Sequence, residues 1–127
     1  MSLLNKLLGN AVTLDKETAE QKVSEIVIEG EQVVIGFQLI RDSIVFTSER
    51  LVMIDVQGLT GSKTSYTSIP FSSIKWFSME NAGTFDMDSE IQLAVQRMNT
   101  PLSLKFKKGT DIKLIYQLLS TYTLRDN

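Results

Sequence analysis

The sequence contains no cysteine and no histidine. The first absence excludes disulfides and thiol nucleophiles, the second excludes imidazole general bases, and together they exclude cysteine- or histidine-ligated zinc. There is no surplus of positive charge either: thirteen Lys and Arg stand against fifteen Asp and Glu, a net charge of −2. Non-specific nucleic-acid binding needs cations to displace counterions from phosphate, so no nucleic-acid partner is expected. Long hydrophobic runs are also missing. The longest aliphatic run is Leu51-Val52-Met53-Ile54, far short of the roughly 20 residues a membrane helix needs. The apolar N-terminus is interrupted by Asn5, Lys6 and Asn10 and has neither a basic leader nor a small-residue cleavage site. It does not read as a signal peptide, and a cytoplasmic location is the expectation.

What is present is ordinary globular composition: 127 residues, 43% hydrophobic and 22% charged. That length suggests one domain, large enough to bury a core without staples. Charge is unevenly spread. Asp15 to Glu29 carries five acids and two lysines, whereas Lys105, Lys107 and Lys108 cluster without an acid. Such patches usually are solvated faces, but they also suit the pairing of one subunit's acidic end with another's basic end.

Periodicity divides the chain into an N-terminal helical extension over 1–30 and a β-rich barrel with a C-terminal helix over 31–127. Leu3, Leu4, Leu7, Leu8, Ala11 and Val12 recur at helical spacing, predicting a short amphipathic helix that must dock on something to be stable. Asp15 can cap a second helix with Ala19, Val23, Ile26 and Val27 as its stripe and Gly30 as its stop. From Glu31 the period becomes two. Val33, Ile35, Phe37 and Leu39 share a face in the first of seven predicted strands. The others are Ile44–Thr47, Arg50–Val56, Ser62–Ser68, Ile74–Asn81, Glu90–Val95 and Leu102–Phe106. The third strand is apolar on both faces, so it is covered on both sides or lies against a partner. The fourth reads as an exposed edge ended by Pro70. In the fifth, Ile74 and Trp76 are expected on one side and Phe77 and Met79 on the other. A final helix is expected with Thr110 as cap, Asp111 in the first turn, and a stripe of Ile112, Ile115, Leu119 and Tyr122 widened by Leu114 and Leu118.

Seven antiparallel strands closed by a C-terminal helix is the order of a pleckstrin-homology domain. At residue level the chain resembles the bacterial PH-like family formerly described as a domain of unknown function. The resemblance rests on Leu39-Ile-Arg-Asp42, Phe46-Thr47 with Arg50-Leu51, Asp55-x-Gln57-Gly58-Leu59-Thr60-Gly61-x-Lys63, Tyr66-x-Ser68-Ile69-Pro70 and Lys108-Gly109-Thr110-Asp111. These stretches run in order from Leu39 to Asp111. The resemblance implies a mainly β fold with helices: a seven-stranded antiparallel split barrel, or orthogonal sandwich, closed by the C-terminal helix. It also implies self-association, since members of the family are known as ring-like oligomers. It implies no catalytic activity and supplies no ligand.

Candidate sites are few. A phosphoinositide pocket needs several cations converging from the first two strands, yet Gln32 to Phe46 contains Arg41 alone, with Asp42 beside it. Specific phosphoinositide binding is therefore not expected, and Arg41 and Asp42 read as a local turn contact. Asp86, Asp88 and Glu90 would share a face if extended, but the glycine of a calcium loop is absent, Ile91 standing at its position. Gly58 to Thr64 lacks Walker spacing and precedes a strand, so a hairpin explains its glycines. Without histidine no activated serine is visible. No catalytic residue, metal or cofactor is expected.

Surplus apolar surface is the remaining signal. The expectation is a non-catalytic interaction or scaffolding module that assembles into a closed homo-oligomer, with an unidentified protein client possible. The interface is placed on Leu3, Leu4, Leu7 and Leu8 of the first helix, Val52 and Ile54 of the third strand, and Phe77 and Met79 of the fifth. The alternative is a peripheral membrane or protein-docking module that inserts the leucines of the N-terminal helix. That helix carries only Lys6, fewer cations than membrane-surface helices usually do.

Overall fold

The computed structural model describes residues 3–8, 12–57, 61, 63–80 and 88–125. In chain order the elements are α1 (Leu3–Leu7), β1 (Thr13–Leu14), α2 (Lys16–Val23), β2 (Val33–Gln38), β3 (Ser43–Thr47), β4 (Arg50–Gln57) and β5 (Lys63–Pro70). A 3-10 turn over Phe71–Ser73 leads to β6 (Ile74–Glu80), β7 (Ser89–Val95), β8 (Leu102–Phe106) and α3 (Ile112–Leu124). The expected strands are β2 to β8, and the expected closing helix is α3. Two antiparallel sheets result, in the orders β1-β2-β3-β4-β5 and β6-β7-β8. They are tied together where the Ile40 N–H donates to the Lys105 carbonyl at 3.1 Å. This is the mainly β, helix-closed PH-like architecture.

Alternation in the strands delivers one face of each sheet to a common core. Ile35, Phe37, Ile44, Phe46 and Leu51 come from the first sheet and Ile91, Leu93, Leu104 and Phe106 from the second, all buried. Burying each such side chain contributes about 1.5–3 kcal/mol. The α3 stripe of Ile112, Ile115, Leu118 and Leu119 closes the core. Phe46 stacks on Phe71 with ring centres 6.0 Å apart, and Phe71 stacks on Tyr122 at 4.8 Å, linking β3 to the helix through aromatic contact. The N-terminal helix docks on its own chain. α1 lies against α3, with Leu7 fully buried and Leu3 and Leu4 packed at the core margin. Thr13 Oγ1 donates to the Leu7 carbonyl at 2.8 Å and fixes the helix end. α1 is five residues long, shorter than its leucine spacing suggested. The chain then forms β1, which pairs Thr13 with Phe37 and Leu14 with Gly36. Two residues are too few to show a period, so no alternation signals this strand.

A second, smaller core lies outside the five-stranded sheet. Ala19 and Val23 of α2 pack on Val45, Val52 and Ile54, with Leu14, Ile26, Val27 and Val33 around them. Asp15 caps α2 as expected, its Oδ1 accepting from the Thr18 N–H at 3.2 Å. The helix ends at Val23, earlier than the apolar stripe suggested, and Ile26 and Val27 continue as turns bonded to the Val23 carbonyl. Gly30, at φ +87°, reverses the chain after these turns rather than ending the helix itself. At Gly36 the helix comes closest to the sheet: a Cβ there would lie 3.0 Å from Ala19 Cβ and 3.2 Å from Leu14 Cδ1.

Two register shifts change which residues face inward, because one extra residue turns the following side chains to the other face. Between Val33 and Ile35 the shift sends Val33 to the second core instead of joining Ile35 and Phe37. Between Ile74 and Trp76 it puts Ile74 with Phe77 and Met79 on the core side and leaves Trp76 outside, against the expected pairing. At α3 the cap position belongs to Asp111, which makes no side-chain capping bond. Thr110 Oγ1 instead donates to the Lys107 carbonyl at 2.6 Å.

Candidate interaction surfaces

The residues expected at an interface take different places. Leu7, Val52 and Ile54 are buried by neighbours from the same chain, and Leu3, Leu4, Phe77 and Met79 are partly buried against the main core. Only Leu8 of the eight is largely exposed, at 58%. β4 is thus covered on both sides within one chain, by the main core and by α2. The sequence had left intrachain cover and a partner as alternatives at this strand.

Arg41 and Asp42 lie in a tight turn in which the Leu39 N–H donates to the Asp42 carbonyl at 2.7 Å. Gln38 Nε2 donates to the Leu39 and Asp42 carbonyls, both at 3.3 Å. Beside the turn is an open cleft of about 450 Å³ into which Arg41, Asp42, Asp88, Ser103 and Lys105 project. Two cations face two carboxylates, the opposite of the one-signed field a polyphosphate needs. Asp42 also neighbours Asp55 across the β3–β4 ladder, one step beyond the Ser43–Ile54 pair. Burial and then the hydrogen bond and charge of Asp55 raise the Asp42 carboxyl above its usual range, with Arg41 acting the other way.

Of the acidic triplet, Asp86 lies outside the described residues. Asp88 is exposed in the cleft, whereas Glu90 pairs with Glu80 across the β6–β7 ladder and accepts a hydrogen bond from Ser103 Oγ. Among the described residues no group of three metal-ligating side chains converges. Of the glycine-bracketed loop, Gly58, Leu59, Thr60 and Ser62 lie outside the described residues. Gln57 pairs with Lys63, and Gly61 has φ +66°, as a hairpin connection requires.

Two features were not anticipated. One is the polar cluster around Glu31 and Arg50. Thr47 Oγ1 donates to Glu31 Oε2 at 2.6 Å and accepts from the Glu49 and Arg50 amides at 3.0 Å, so the β3–β4 turn is built on one hydroxyl. No local spacing signals a pair separated by nineteen residues. The other is the outward Trp76, opposite Ala94 on β7. It lines a groove of about 210 Å³ with Lys75, Arg97, Met98 and Pro101. Arg97 adopts φ +73°, a left-handed conformation costing about 1 kcal/mol for a residue with a Cβ. The turn is held by the Gln96 N–H on the Ser73 carbonyl at 2.8 Å and the Met98 N–H on the Val95 carbonyl at 3.0 Å.

No helix among the described residues is long and apolar enough to cross a membrane. Comparison with known proteins agrees with the architecture. The family model described as "Bacterial PH domain" matches residues 2–123. The uncharacterised protein YjqA of Bacillus subtilis (strain 168) is 44% identical over 121 residues, covering 94% of this chain and 97% of that one. The crystal structure of a pleckstrin-homology domain from Shewanella amazonensis SB2B has 40% identity and a TM-score of 0.79, covering 98% of this chain and 100% of its own. A pleckstrin-homology domain protein from Shewanella loihica PV-4 has the same identity and TM-score over 91% of this chain and 98% of its own. The chain belongs to the bacterial PH domain family.

Proposed function

We propose that this chain is a non-catalytic PH-like interaction module that assembles into a closed homo-oligomer. The observation that carries the reading is the apolar surface left after both cores are filled. Trp76, Met98, Ile28 and Leu8 remain exposed although β2, β3, β4, β7 and β8 already bury their inner-face side chains within the chain. Exposed apolar side chains with charged neighbours suit a protein contact. The contact draws on these outer residues rather than on Leu7, Val52 and Ile54, whose packing it would have to break. The open edge of β5, exposed along Lys63–Ser68, is a further surface that assembly would cover. The alternative, insertion of the N-terminal leucines into lipid or a client groove, has only Leu8 freely available, because Leu7 is committed to the core and Leu3 and Leu4 to its margin.

The test is solution mass by size-exclusion chromatography with light scattering over a dilution series. A discrete multiple of the 14.3 kDa chain that survives dilution supports assembly. A monomer at every concentration overturns it.

A further inference from the structure

We propose that the groove beside Trp76 receives Ile28 of a second copy of this chain. The inference rests on the assembly reading above and names the two surfaces that would meet. Trp76 is 48% exposed and Met98 45%. Opposite the indole stands only Ala94, so the groove floor is shallow and apolar. Its charged rim is Lys75 and Arg97, with no carboxylate among the described residues that line it. Neither cation makes an ion pair or side-chain hydrogen bond among the described residues.

The complement lies elsewhere on the same chain. Ile28 is 65% exposed in the connection between α2 and β2, with the exposed carboxylates of Glu25 and Glu29 beside it in sequence. Neither carboxylate has an ion-pair partner among the described residues. The knob is held rather than loose: the Ile28 N–H donates to Glu31 Oε1 at 3.1 Å, and the Glu31 N–H donates to the Ile28 carbonyl at 3.1 Å. Little conformational freedom is then lost on docking. An aliphatic knob flanked by two acids thus matches an aromatic and thioether groove flanked by two bases. Apolar burial supplies the attraction and the charges fix orientation and register.

The two surfaces belong to different elements. The knob follows α2, on the outer side of the five-stranded sheet, and the groove lies on the outer side of the three-stranded one. Each copy therefore offers one knob and one groove. A contact of this head-to-tail kind repeats from copy to copy and closes when its rotation divides a full turn.

The test uses two full-chain variants at exposed positions, Ile28→Glu and Trp76→Ala, each checked for a wild-type thermal melt. Each alone is expected to shift the concentration midpoint of assembly at least tenfold upward. Mixed in equal amounts they are expected to form a 1:1 dimer and stop, because one variant keeps its groove and the other its knob. An unfolded variant could not give that dimer. If wild type assembles and either variant assembles equally well, or the mixture stays monomeric, the knob-and-groove contact is overturned while self-association stands. If wild type is a monomer throughout, both readings fall. Binding of monomeric wild type to vesicles containing anionic phospholipid, lost in Trp76→Ala, would assign the groove to a lipid surface and overturn the proposal.

Discussion

Arg50 and Glu31 meet in a two-pronged ion pair, with Nε 2.9 Å from Oε2 and Nη2 2.8 Å from Oε1. The same guanidinium donates to the Ile26 carbonyl at 2.8 Å and to Ser68 Oγ at 2.9 Å. One side chain therefore ties the connection after α2 to β4 and β5, and the Glu31 side chain is fully enclosed. Removing either partner leaves a buried group without its counter-charge. Arg50→Ala and Glu31→Leu are each expected to cost about 3 kcal/mol. The paired apolar replacement Arg50→Met with Glu31→Leu should cost less than the sum of its parts. Urea denaturation of the four proteins measures that coupling.

The same pair sets an acid limit. The Arg50 hydrogen bond holds the Glu31 carboxyl down from 4.5 to about 2, with burial opposing and Thr47 and the Ile28 amide assisting. A carboxyl whose folded value lies below its unfolded value stabilises above the unfolded one and loses that contribution as pH falls. Stability should decline as pH drops from about 4.5 toward 2. Thermal melts across that window should show a shallower decline for Glu31→Gln, from a lower starting point at neutral pH.

Asp42 has the opposite sign. Its carboxyl is raised, first by burial and then by Asp55, so it favours the protonated folded state. The associated stability is present at low pH and is lost as pH rises through the raised folded value. Asp55→Asn removes the neighbouring charge while keeping an oxygen to accept from Gln57 Nε2, now 2.7 Å from Asp55 Oδ2. At neutral pH this variant should gain up to about 1 kcal/mol, the scale of a like-charge pair across a ladder. Chemical denaturation at neutral pH checks the sign.

Gly36 sets how closely α2 approaches the sheet. With Ala19 Cβ 3.0 Å from the position of an added Cβ, Gly36→Ala must push the helix outward. Overpacking of this kind costs about 1–3 kcal/mol, and Gly36→Val should cost more. Hydrogen exchange should show the loss concentrated in α2, with β7 and β8 protected as in wild type.

The seven strands from Val33 to Phe106 were legible because a period of two survives wherever one face is buried, and α3 was legible from its stripe. Legibility stopped where a single residue changed the count. The shift after Ile74 turned Trp76 outward, and it is this reversal that creates the groove. The cover of Val52 and Ile54 was half legible: two apolar faces required cover on both sides. That the cover is α2 depends on the missing Cβ at Gly36, a three-dimensional fit with no periodic signature. The Glu31–Arg50 pair was invisible for the same reason, since it depends on how the chain folds back and not on local spacing.

The contact between α1 and α3 has a consequence for synthesis. Of these two helices, α1 is synthesised before α3, the helix against which it packs. Until residues 112–124 emerge, Leu7 has no completed pocket and the main core is open at one end. Closing a loop of nearly the whole chain costs only logarithmically more than closing a short one, so the penalty is one of timing rather than of final stability. The growing chain must keep Leu3, Leu4 and Leu7 unassociated until α3 has emerged, and the main core is closed only after that.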